Sequence, residues 1–476
     1  MSDPAQTGDA RWSELLTANY SAATTTLCLG VALFAFNGFL VSTSLPTAVG
    51  EIGGIELISW AFTLYLVFSI VGGASGALLK ARFGSRTALV GSALVFLAGT
   101  LIAAFASSMT EVLVGRALQG VGEGIIAATC YALIPELFPS RLVAKVFGAE
   151  AVVWAVAAFG GPLVSGMLTE HLSWRAAFLV NVPLGLIFIA LTFRIVPRFS
   201  GEVQRLSVPF LRLSAIGAGI MLVALASIMQ TVPMEVLFVA GAAIVLTSVV
   251  AIDRRSDKPL FPSDAFAFNS TVGIGLWIVL LMPVAQAATS VYLVMTLQNL
   301  WGYGPTKAGA FSATFAIAWS LFAILVANIQ DPRRRAWMIR LGPTLLVSGL
   351  AIIVFGFSLD KPLVVMLGQI LIGTGFGISW GFLSQTVMEA AKSGERDRAS
   401  ALLPTLQSAG YAIGAAVSGL AANAVGYPSA TTPDALQEAS IMIFAVSTII
   451  GLGALIAGYA LPLRKKTMLA IDLPKL

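Results

Sequence analysis

The chain has 476 residues, of which 57% are hydrophobic and 11% charged, and its mean hydropathy is +0.90. These values exclude the class of soluble globular domains and predict an integral membrane protein. The net charge of +5 and the pI of about 9.3 are weak evidence for nucleic-acid binding, and no nucleic-acid partner is expected.

Apolar stretches of about 20 residues or more recur along the chain, each long enough to cross a hydrocarbon core of about 30 Å. Runs of this length differ from the alternating pattern of barrel strands, and a backbone without water must satisfy its own hydrogen bonds. The fold is therefore predicted to be all-α. The fourteen predicted spans are 20–47, 57–79, 87–108, 111–135, 147–168, 176–196, 211–232, 235–253, 269–296, 305–328, 338–357, 362–388, 399–425 and 437–461.

Basic residues occupy every second loop between these spans, and also the C-terminal tail. With Arg11 they account for 24 of the 28 Lys and Arg residues. The positive-inside rule therefore predicts that these loops and both termini are cytoplasmic, in a multi-pass protein of the cell (inner or plasma) membrane. The basic residues are Lys80, Arg82, Arg86, Arg141, Lys145, Arg194, Arg198, Arg205, Arg212, Arg254, Arg255, Lys258, Arg333, Arg334, Arg335, Arg340, Lys392, Arg396, Arg398, Arg464, Lys465, Lys466 and Lys475.

The fourth predicted span contains the stretch GRALQGVGEG, Gly115 to Gly124, which carries an arginine and a glutamate seven residues apart. Seven residues are nearly two helical turns, so Arg116 and Glu123 project from one face, with Cα atoms about 10 Å apart. Ionisable groups within a membrane are costly unless they are paired or hydrated, and they mark a substrate or ion pathway by default. This face is therefore expected to point into the bundle.

Glu123 is the predicted proton carrier, with Arg116 as its neighbour. A carboxyl group that moves between a desolvated setting and the vicinity of a guanidinium would bind and release a proton. A static buried ion pair, fixing helix 4 against helix 1 or 5, explains the same two residues. Glu150, near the predicted cytoplasmic start of helix 5, is a second acidic candidate; its alternative is a residue at a helix end whose side chain reaches the interface.

The two parts of the chain are related in sequence. VLVGRALQGVGEGI, from Val112, aligns with VMLGQILIGTGFGI, from Val365, and four glycines coincide at an offset of 253, which is 368 minus 115. The same offset places GPLVSGM, from Gly161, on GAAVSGL, from Gly414, and it also superposes the basic loops before helices 3 and 11. One ungapped register is therefore predicted for helices 3 to 5 and 11 to 13.

This offset replaces Arg116 by Gln369 and Glu123 by Phe376, so only the N-terminal half carries the charges. It predicts two six-helix halves related by duplication: residues 1–200 as the N-terminal half and residues 263–476 as the C-terminal half with a cytoplasmic tail. Residues 201–262 are the predicted linker, which contains the two additional helices 7 and 8. Parallel repeats place a substrate site between the halves, which rock against each other during transport.

These motifs resemble those of the major facilitator superfamily, and specifically its fourteen-helix drug:proton antiporter branch. GRALQGVGEG resembles the family's helix 4 motif, whose arginine corresponds to Arg116. GAEAVVWAVAAFGGPLVSG resembles the antiporter motif of helix 5, with Gly161 and Pro162 in its Gly-Pro step and Ser165-Gly166 in place of its terminal Gly-Gly. WRAAFLVNVPLG resembles the entry to helix 6, and TLQNLWGYGPTKAG the loop before helix 10. The resemblance covers most of the chain and implies transport by alternating access.

Two aspartates of the family's motifs are missing. The helix 1 motif places an aspartate nine residues before a proline, and the residue nine before Pro46 is Asn37. In the loop between helices 2 and 3, Ala81 stands at the aspartate position. Coupling is therefore expected to rest on Glu123 and Glu150. The loop residues that the resemblance assigns to gating are Arg82, Gly84 and Arg86, and the two arginines are expected to contact phosphates or helix ends.

A mostly apolar cavity with a few polar amides and aromatic rings suits amphipathic ligands. Aromatic residues in membrane helices also serve as interface anchors or in packing. The predicted substrate-binding residues are Asn37, Trp60, Tyr65, Trp154, Gln286, Tyr292, Gln369, Gln407 and Tyr411.

The sequence thus predicts a secondary active exporter of amphipathic or hydrophobic compounds, of the multidrug type, that is coupled to protons. An exporter or flippase of a lipid or lipid-like molecule is an alternative, which the scarcity of cavity charge favours and which is expected to show lateral openings. A membrane sensor or scaffold without transport is an alternative of another class. Because no metal set, activated nucleophile or Walker-type loop occurs, neither an enzyme nor a cofactor is expected, and a proton gradient is the energy source. The expected partners are the substrate, protons and the bilayer, and a monomer is expected.

Overall fold

The computed structural model describes residues 11–197, 210–229, 231–256 and 259–462, and the regular structure in these ranges is helical. Each predicted span overlaps one long helix, which confirms the all-α fold. The helices are α1 Ser21–Ile52, α2 Ile58–Phe83, α3 Ser85–Ala104, α4 Met109–Leu137, α5 Ser140–His171, α6 Trp174–Ile195, α7 Phe210–Ala226, α8 Val232–Asp253, α9 Thr271–Trp301, α10 Pro305–Val326, α11 Pro332–Ser358, α12 Pro362–Ala390, α13 Arg396–Ala424 and α14 Pro433–Ala460.

Twelve helices within the described ranges are long and apolar enough to cross a membrane. The other two are α7, which has 17 residues and begins where the described chain resumes, and α13, which begins with charged residues. The structure therefore supports about twelve spans, and the number fourteen remains a prediction.

Two of the spans are not continuous α-helices. In α6, the helical segments Trp174–Leu179 and Asn181–Ile195 are separated by Val180. In α9, a π-helical turn at Thr289–Leu293 interrupts the span, and such wide turns are frequent at functional sites.

The helices pack in two groups. Helices α1 to α6 pack with one another, and we call them the first group; helices α9 to α14 form the second group. Glu51 and Glu170, in the last turns of α1 and α5, and Asp360, in the loop after α11, lie at one end of the bundle, the acidic end. Lys80 and Arg333 lie at the other, the basic end. The groups meet where α5 contacts α10 and where α2 contacts α13. The exact domain bounds stay predictions, since residues 198–209 and 257–258 of the linker lie outside the described ranges.

The aligned glycines of α4 and α12 occupy equivalent positions in the two groups. A side chain on Gly120 would overlap the carbonyl oxygen of Tyr65 on α2, and one on Gly373 would overlap that of Phe315 on α10. Only a glycine lets these backbones approach so closely. Each glycine is thus fixed by packing against the preceding helices of its own group.

These contacts correct the predicted register. Gly115 packs against Gly99 of α3, and its equivalent Gly368 packs against Gly349 of α11. Gly99 and Gly349 are 250 residues apart, whereas the glycines of α4 and α12 are 253 apart. The ungapped register over helix 3 is therefore wrong by three residues, because the chain from Gly349 to Gly368 is three residues longer than the chain from Gly99 to Gly115.

The groups are closed against each other at the acidic end. The backbone N–H of Thr306 on α10 donates to Glu170 of α5 (3.0 Å), and the Asn423 amide of α13 donates to the carbonyl of Glu56 (3.3 Å). Within the described ranges, every hydrogen bond between the two groups lies between the middle of the helices and the acidic end. The hydrogen bonds between the groups are therefore concentrated towards the acidic end.

Candidate functional site

Seven polar side chains form a buried cluster inside the first group, where α1, α2, α3, α4 and α6 meet. Tyr65 is 4% exposed and the other six are fully buried. A polar group buried away from water is costly unless it is hydrogen-bonded, so each contact within the cluster matters for stability. The members of this polar cluster are Asn37, Tyr65, Thr100, Arg116, Gln119, Glu123 and Asn181.

Glu123 accepts one hydrogen bond and lies beside the side chain of Tyr65. Its Oε2 accepts a hydrogen bond of 3.2 Å from the Asn37 amide, and its Oε1 has no hydrogen-bond partner in the described part of the chain. The Asn37 carbonyl in turn accepts from the Asn181 amide of α6 at 3.4 Å. Asn37 thus stands where the family's helix 1 motif has an aspartate, and it donates to the carboxyl group on α4.

Arg116 is bound chiefly to α2. Its Nε donates to the carbonyl of Ala61 at 3.1 Å, and its guanidinium carbon lies 4.0 Å from the centre of the Tyr65 ring, a cation–π contact. Its Nη1 donates to Gln119 Oε1 at 2.8 Å. The arginine is therefore anchored by contacts that do not involve Glu123.

Gln119 connects the two charged residues. Its Nε2 lies 3.0 Å from Thr100 Oγ1 and 3.4 Å from Asn37 Oδ1, while its carbonyl accepts from Arg116. The described residues contain no direct ion pair between Arg116 and Glu123. The two charged side chains are thus separated, and hydrogen-bonded amide side chains connect them.

Glu150 lies outside this cluster. Its side chain is only 2% exposed, and neither carboxylate oxygen has a hydrogen-bond partner within the described residues. It is the eleventh residue of α5, and Cys28 and Cys130 lie within electrostatic range of it. This placement differs from the helix-end alternative, because the side chain is enclosed by α1 and α4 rather than extended to an interface.

The other predicted substrate residues of the first group lie around the polar cluster. Trp154 is 36% exposed and meets Phe34 edge-on at 5.6 Å, and Phe34 stacks on Tyr65 at 6.3 Å. Trp60 instead donates to the hydroxyl group of Ser227, just after α7, at 3.3 Å. The structure thus joins Trp154 to the cluster and separates Trp60 from it.

The predicted substrate residues of the second group are dispersed. Gln286 is buried and bonds to Thr289 within α9, and the ring of Tyr292 packs edge-on against Tyr427. Gln369 is buried on α12, with an Oε1 that has no partner in the described ranges. The last two predicted residues, Gln407 and Tyr411, are half-buried on α13.

The predicted gating residues have separate environments. Arg86 donates from Nε to the carbonyl of Val196 at 2.7 Å, at the end of α6, whereas Arg82 is exposed. Gly84 has φ +81° between α2 and α3, a conformation that favours glycine. On α5, Gly161 packs against Phe39, and the Pro162 carbonyl packs against Gly309 of α10.

Sequence reasoning missed three members of the polar cluster. Gln119 lies within GRALQGVGEG itself, three residues after Arg116 and four before Glu123, so helical spacing could have found it. Asn181 lies in the quoted motif WRAAFLVNVPLG. Thr100 carries no such signal, because threonines are common in apolar helices.

Comparison with known sequences matches the family model described as Major Facilitator Superfamily over residues 27–415. A probable multidrug-efflux transporter of Mycobacterium tuberculosis is 30% identical over 430 residues, which cover 87% of this chain and 89% of that protein. A multidrug efflux pump of Staphylococcus aureus is 24% identical over 397 residues, covering 83% of this chain and 88% of that protein.

Comparison with solved structures finds the same fold. A crystal structure of a peptide transporter has a TM-score of 0.68 at 16% identity and covers 93% of this chain and 95% of its own. A D-xylose–proton symporter has a TM-score of 0.62 at 16% identity, covering 92% of this chain and 96% of its own. At such identities the likeness concerns the fold alone.

Proposed function

Because this chain belongs to the major facilitator superfamily, and is thus a transporter rather than an enzyme, we propose that it is a secondary active exporter of amphipathic or hydrophobic compounds. Relatives with 24% and 30% identity are named multidrug efflux proteins, which supports a multidrug-type substrate range. Alternating access moves the substrate outward while protons enter.

One observation carries the coupling part of the proposal: Glu123 is a fully buried carboxyl group with one oxygen hydrogen-bonded and the other without a partner. A buried ionisable group left half-satisfied is costly, and within a membrane it marks an ion pathway. Asn37 removes the competing carboxyl of the family's helix 1 motif. Glu123 is therefore the group in the polar cluster that can take up a proton.

The separation of Arg116 from Glu123 suggests how protonation of Glu123 is transmitted to the surrounding helices. With no direct ion pair to break, protonation of Glu123 changes its hydrogen bond to Asn37, whose carbonyl is bound by Gln119 and Asn181. That change reaches α1, α4 and α6 together, while Arg116 stays anchored on Tyr65. Glu150, buried without a hydrogen-bond partner in the described ranges, is a second group that can exchange a proton.

The branch of the family, the membrane and the orientation of the chain are part of the same proposal. The motifs support the fourteen-helix drug:proton antiporter branch, in which α7 and α13 would complete the set of spans. The positive-inside rule supports a cell-membrane protein with its basic end and both termini in the cytoplasm. The hydrogen bonds between the two groups, which lie towards the acidic end, then support an inward-facing state.

The first prediction concerns Glu123 and is tested with purified protein in proteoliposomes. In Glu123→Gln we expect substrate flux driven by an imposed pH gradient to fall to the level without a gradient, because the amide cannot exchange a proton. Substrate exchange at equal pH is expected to persist, since the amide still accepts from Asn37. Glu111→Gln is the matched control, as Glu111 lies exposed at the start of the same helix.

Two results would overturn the proposal in different ways. Gradient-driven flux in Glu123→Gln equal to that of the native chain would remove Glu123 from the coupling. Absence of any exchange by the native chain, with or without a gradient, would favour the sensor or scaffold alternative.

A lipid or lipid-like substrate is the second candidate. It is favoured by the second group, where the positions of Arg116 and Glu123 are held by the uncharged Gln369 and Phe376. The same proteoliposomes distinguish the two: transfer of a labelled lipid between leaflets, without transport of a water-soluble amphipathic cation, would favour the lipid.

A further inference from the structure

Four aromatic side chains form a closed set in the second group, which we call the aromatic box. Phe315 and Trp319 lie on α10, and Phe376 and Trp380 on α12. The ring centres of Trp319 and Phe376 are 4.9 Å apart, those of Phe376 and Trp380 are 5.8 Å apart, and those of the two tryptophans 6.2 Å. These spacings are the distances at which aromatic rings attract one another.

The box occupies the place that the polar cluster has in the first group. Phe376 is the repeat equivalent of Glu123, and the glycine contacts make Phe315 the equivalent of Tyr65, since each carbonyl meets an equivalent glycine. Phe315 and Phe376 contact each other with ring centres 5.8 Å apart. The positions of Tyr65 and the charged Glu123 in the first group are thus occupied by two uncharged phenyl rings in the second group.

The box is only partly buried, and its two tryptophans have unused donors. Phe376 is fully buried and Phe315 is 9% exposed, whereas both indole rings are half-buried. Neither Trp319 nor Trp380 donates its indole N–H to an acceptor within the described residues, although Trp60 and Trp277, for example, do so. A buried indole ordinarily finds a hydrogen-bond partner, so the N–H groups of these two rings remain available to one.

Trp319 faces the space between the groups. Ile317 and Leu321, two residues before and after it, are 43% and 50% exposed, and each points about 200° away around the helix. Gly309, a residue of α10 that meets α5, lies about 80° around the helix from Trp319 and about 15 Å nearer the acidic end. The indole is therefore turned away from the exposed face of α10, and it lies beside the face that meets α5.

We propose that the aromatic box is a substrate subsite that binds the planar aromatic ring system of an amphipathic compound, most strongly when that ring carries positive charge. Indole and phenyl faces attract flat π-systems, and they attract cations through the ring quadrupole. The inference deepens the proposed export function and rests on it. The charge-free box binds the ring of the substrate, while the proton is held in the other group.

The experiment measures equilibrium binding to the full chain in nanodiscs at one pH, so it does not depend on coupling. The probes are ethidium, a planar aromatic cation, and 1-dodecanol, an uncharged amphiphile without a ring. In Trp319→Leu and Trp380→Leu we expect the Kd for ethidium to rise about three- to tenfold. The Kd for the ring-free probe is expected to stay within about twofold, because it has neither an aromatic ring nor a charge to interact with the indole faces.

Trp337→Leu is the matched control, since Trp337 lies 61% exposed on α11 outside the box, and its Kd values are expected to be native. Where a leucine variant does not fold, Trp319→Phe replaces it, with an expected rise of about two- to threefold for ethidium. Native ethidium binding in these variants, or equal weakening of both probes, would overturn the subsite. A native chain that binds ethidium as expected but shows no gradient-driven flux would contradict the proposed export function and leave the subsite intact.

Discussion

At the scale of single residues, the polar cluster is arranged so that amides separate two opposite charges. A direct ion pair between Arg116 and Glu123 would neutralise both, but pairing within a protein interior is offset by desolvation. Instead Gln119 uses its carbonyl for the arginine and its N–H groups for Thr100 and Asn37. The carboxyl group thereby keeps one oxygen available, which a locked ion pair would not allow.

Gln119 gives a prediction about stability. In Gln119→Leu, Arg116 Nη1 and Asn37 Oδ1 each lose a buried partner, and we expect the free energy of unfolding in mixed micelles to fall by about 2 kcal/mol. Gln330→Leu is the matched control: Gln330 also accepts from an arginine, at 2.8 Å, but is exposed. Its effect is expected to stay below about 0.5 kcal/mol. Equal losses in the two variants would contradict the role of burial.

At the scale of helices, α7 and α8 form a hairpin that lies over the line where α2 meets α13. Trp60 of α2 donates to the Ser227 hydroxyl just after α7, and Asn423 of α13 donates to the Ser227 carbonyl at 2.6 Å. Gly217 of α7 packs against Val67 of α2. The hairpin therefore covers one of the two lines of contact between the groups, and the line between α5 and α10 has no such cover in the described ranges.

The C-terminal end of α8 is held by Asp253, which gives a prediction for the hairpin. Asp253 is fully buried and accepts from Arg212 of α7 and from the backbone N–H groups of Leu260 and Phe261. In Asp253→Asn we expect the free energy of unfolding to fall by about 2 kcal/mol, because hydrogen bonds to a buried charge are lost. We also expect a protease to cleave the segment after α8 faster in this variant than in the native chain.

The control for this prediction is Asp331→Asn, because Asp331 is exposed and an asparagine can still accept from the Arg333 N–H at the start of α11. Its unfolding and cleavage are expected to be close to native. If Asp253→Asn behaved in the same way, the link between α8 and the segment after it would not stabilise the hairpin.

At the scale of the whole molecule, the acidic end is closed by backbone contacts and hydrogen bonds, and the described ranges contain no ion pair between the groups there. Gly166 of α5 packs against the carbonyl of Pro305, and its repeat equivalent Gly419 of α13 packs against Ser59 of α2. Gly309 packs against the carbonyl of Pro162. Small residues at these crossings let the two groups fit closely and separate without breaking ion pairs.

Gly309→Ala is expected to open this end. Its Cβ would overlap a backbone carbonyl that no rotamer change can move, so the state closed at the acidic end becomes less favourable. Nitroxide labels at Leu172 and Lys361, in a chain whose Cys28 and Cys130 are replaced by alanine, report the distance between the groups. We expect the population at long distances to grow. Gly381→Ala, where nothing lies within 4 Å, should leave the distribution native, and an unchanged distribution in Gly309→Ala would contradict this mechanism.

Much of the candidate site followed from spacing alone. Arg116 and Glu123 are seven residues apart in an apolar span, so their shared inward face needed only helix geometry and the cost of charge in lipid. The partners of these residues did not follow. Asn37, Thr100 and Asn181 reach the cluster from three other helices, and no local pattern specifies which side chains meet there.

The sequence by itself determined the class of protein, the position of the helices and the relation between its two parts, because hydrophobic burial in a bilayer acts on each stretch of about 20 residues separately. The tertiary structure decided that the two charges do not pair, that the repeat register shifts by three residues, that the hairpin covers α2 and α13, and that four rings meet in the second group. These facts depend on how helices cross, and crossing is set by close packing between residues far apart in the chain.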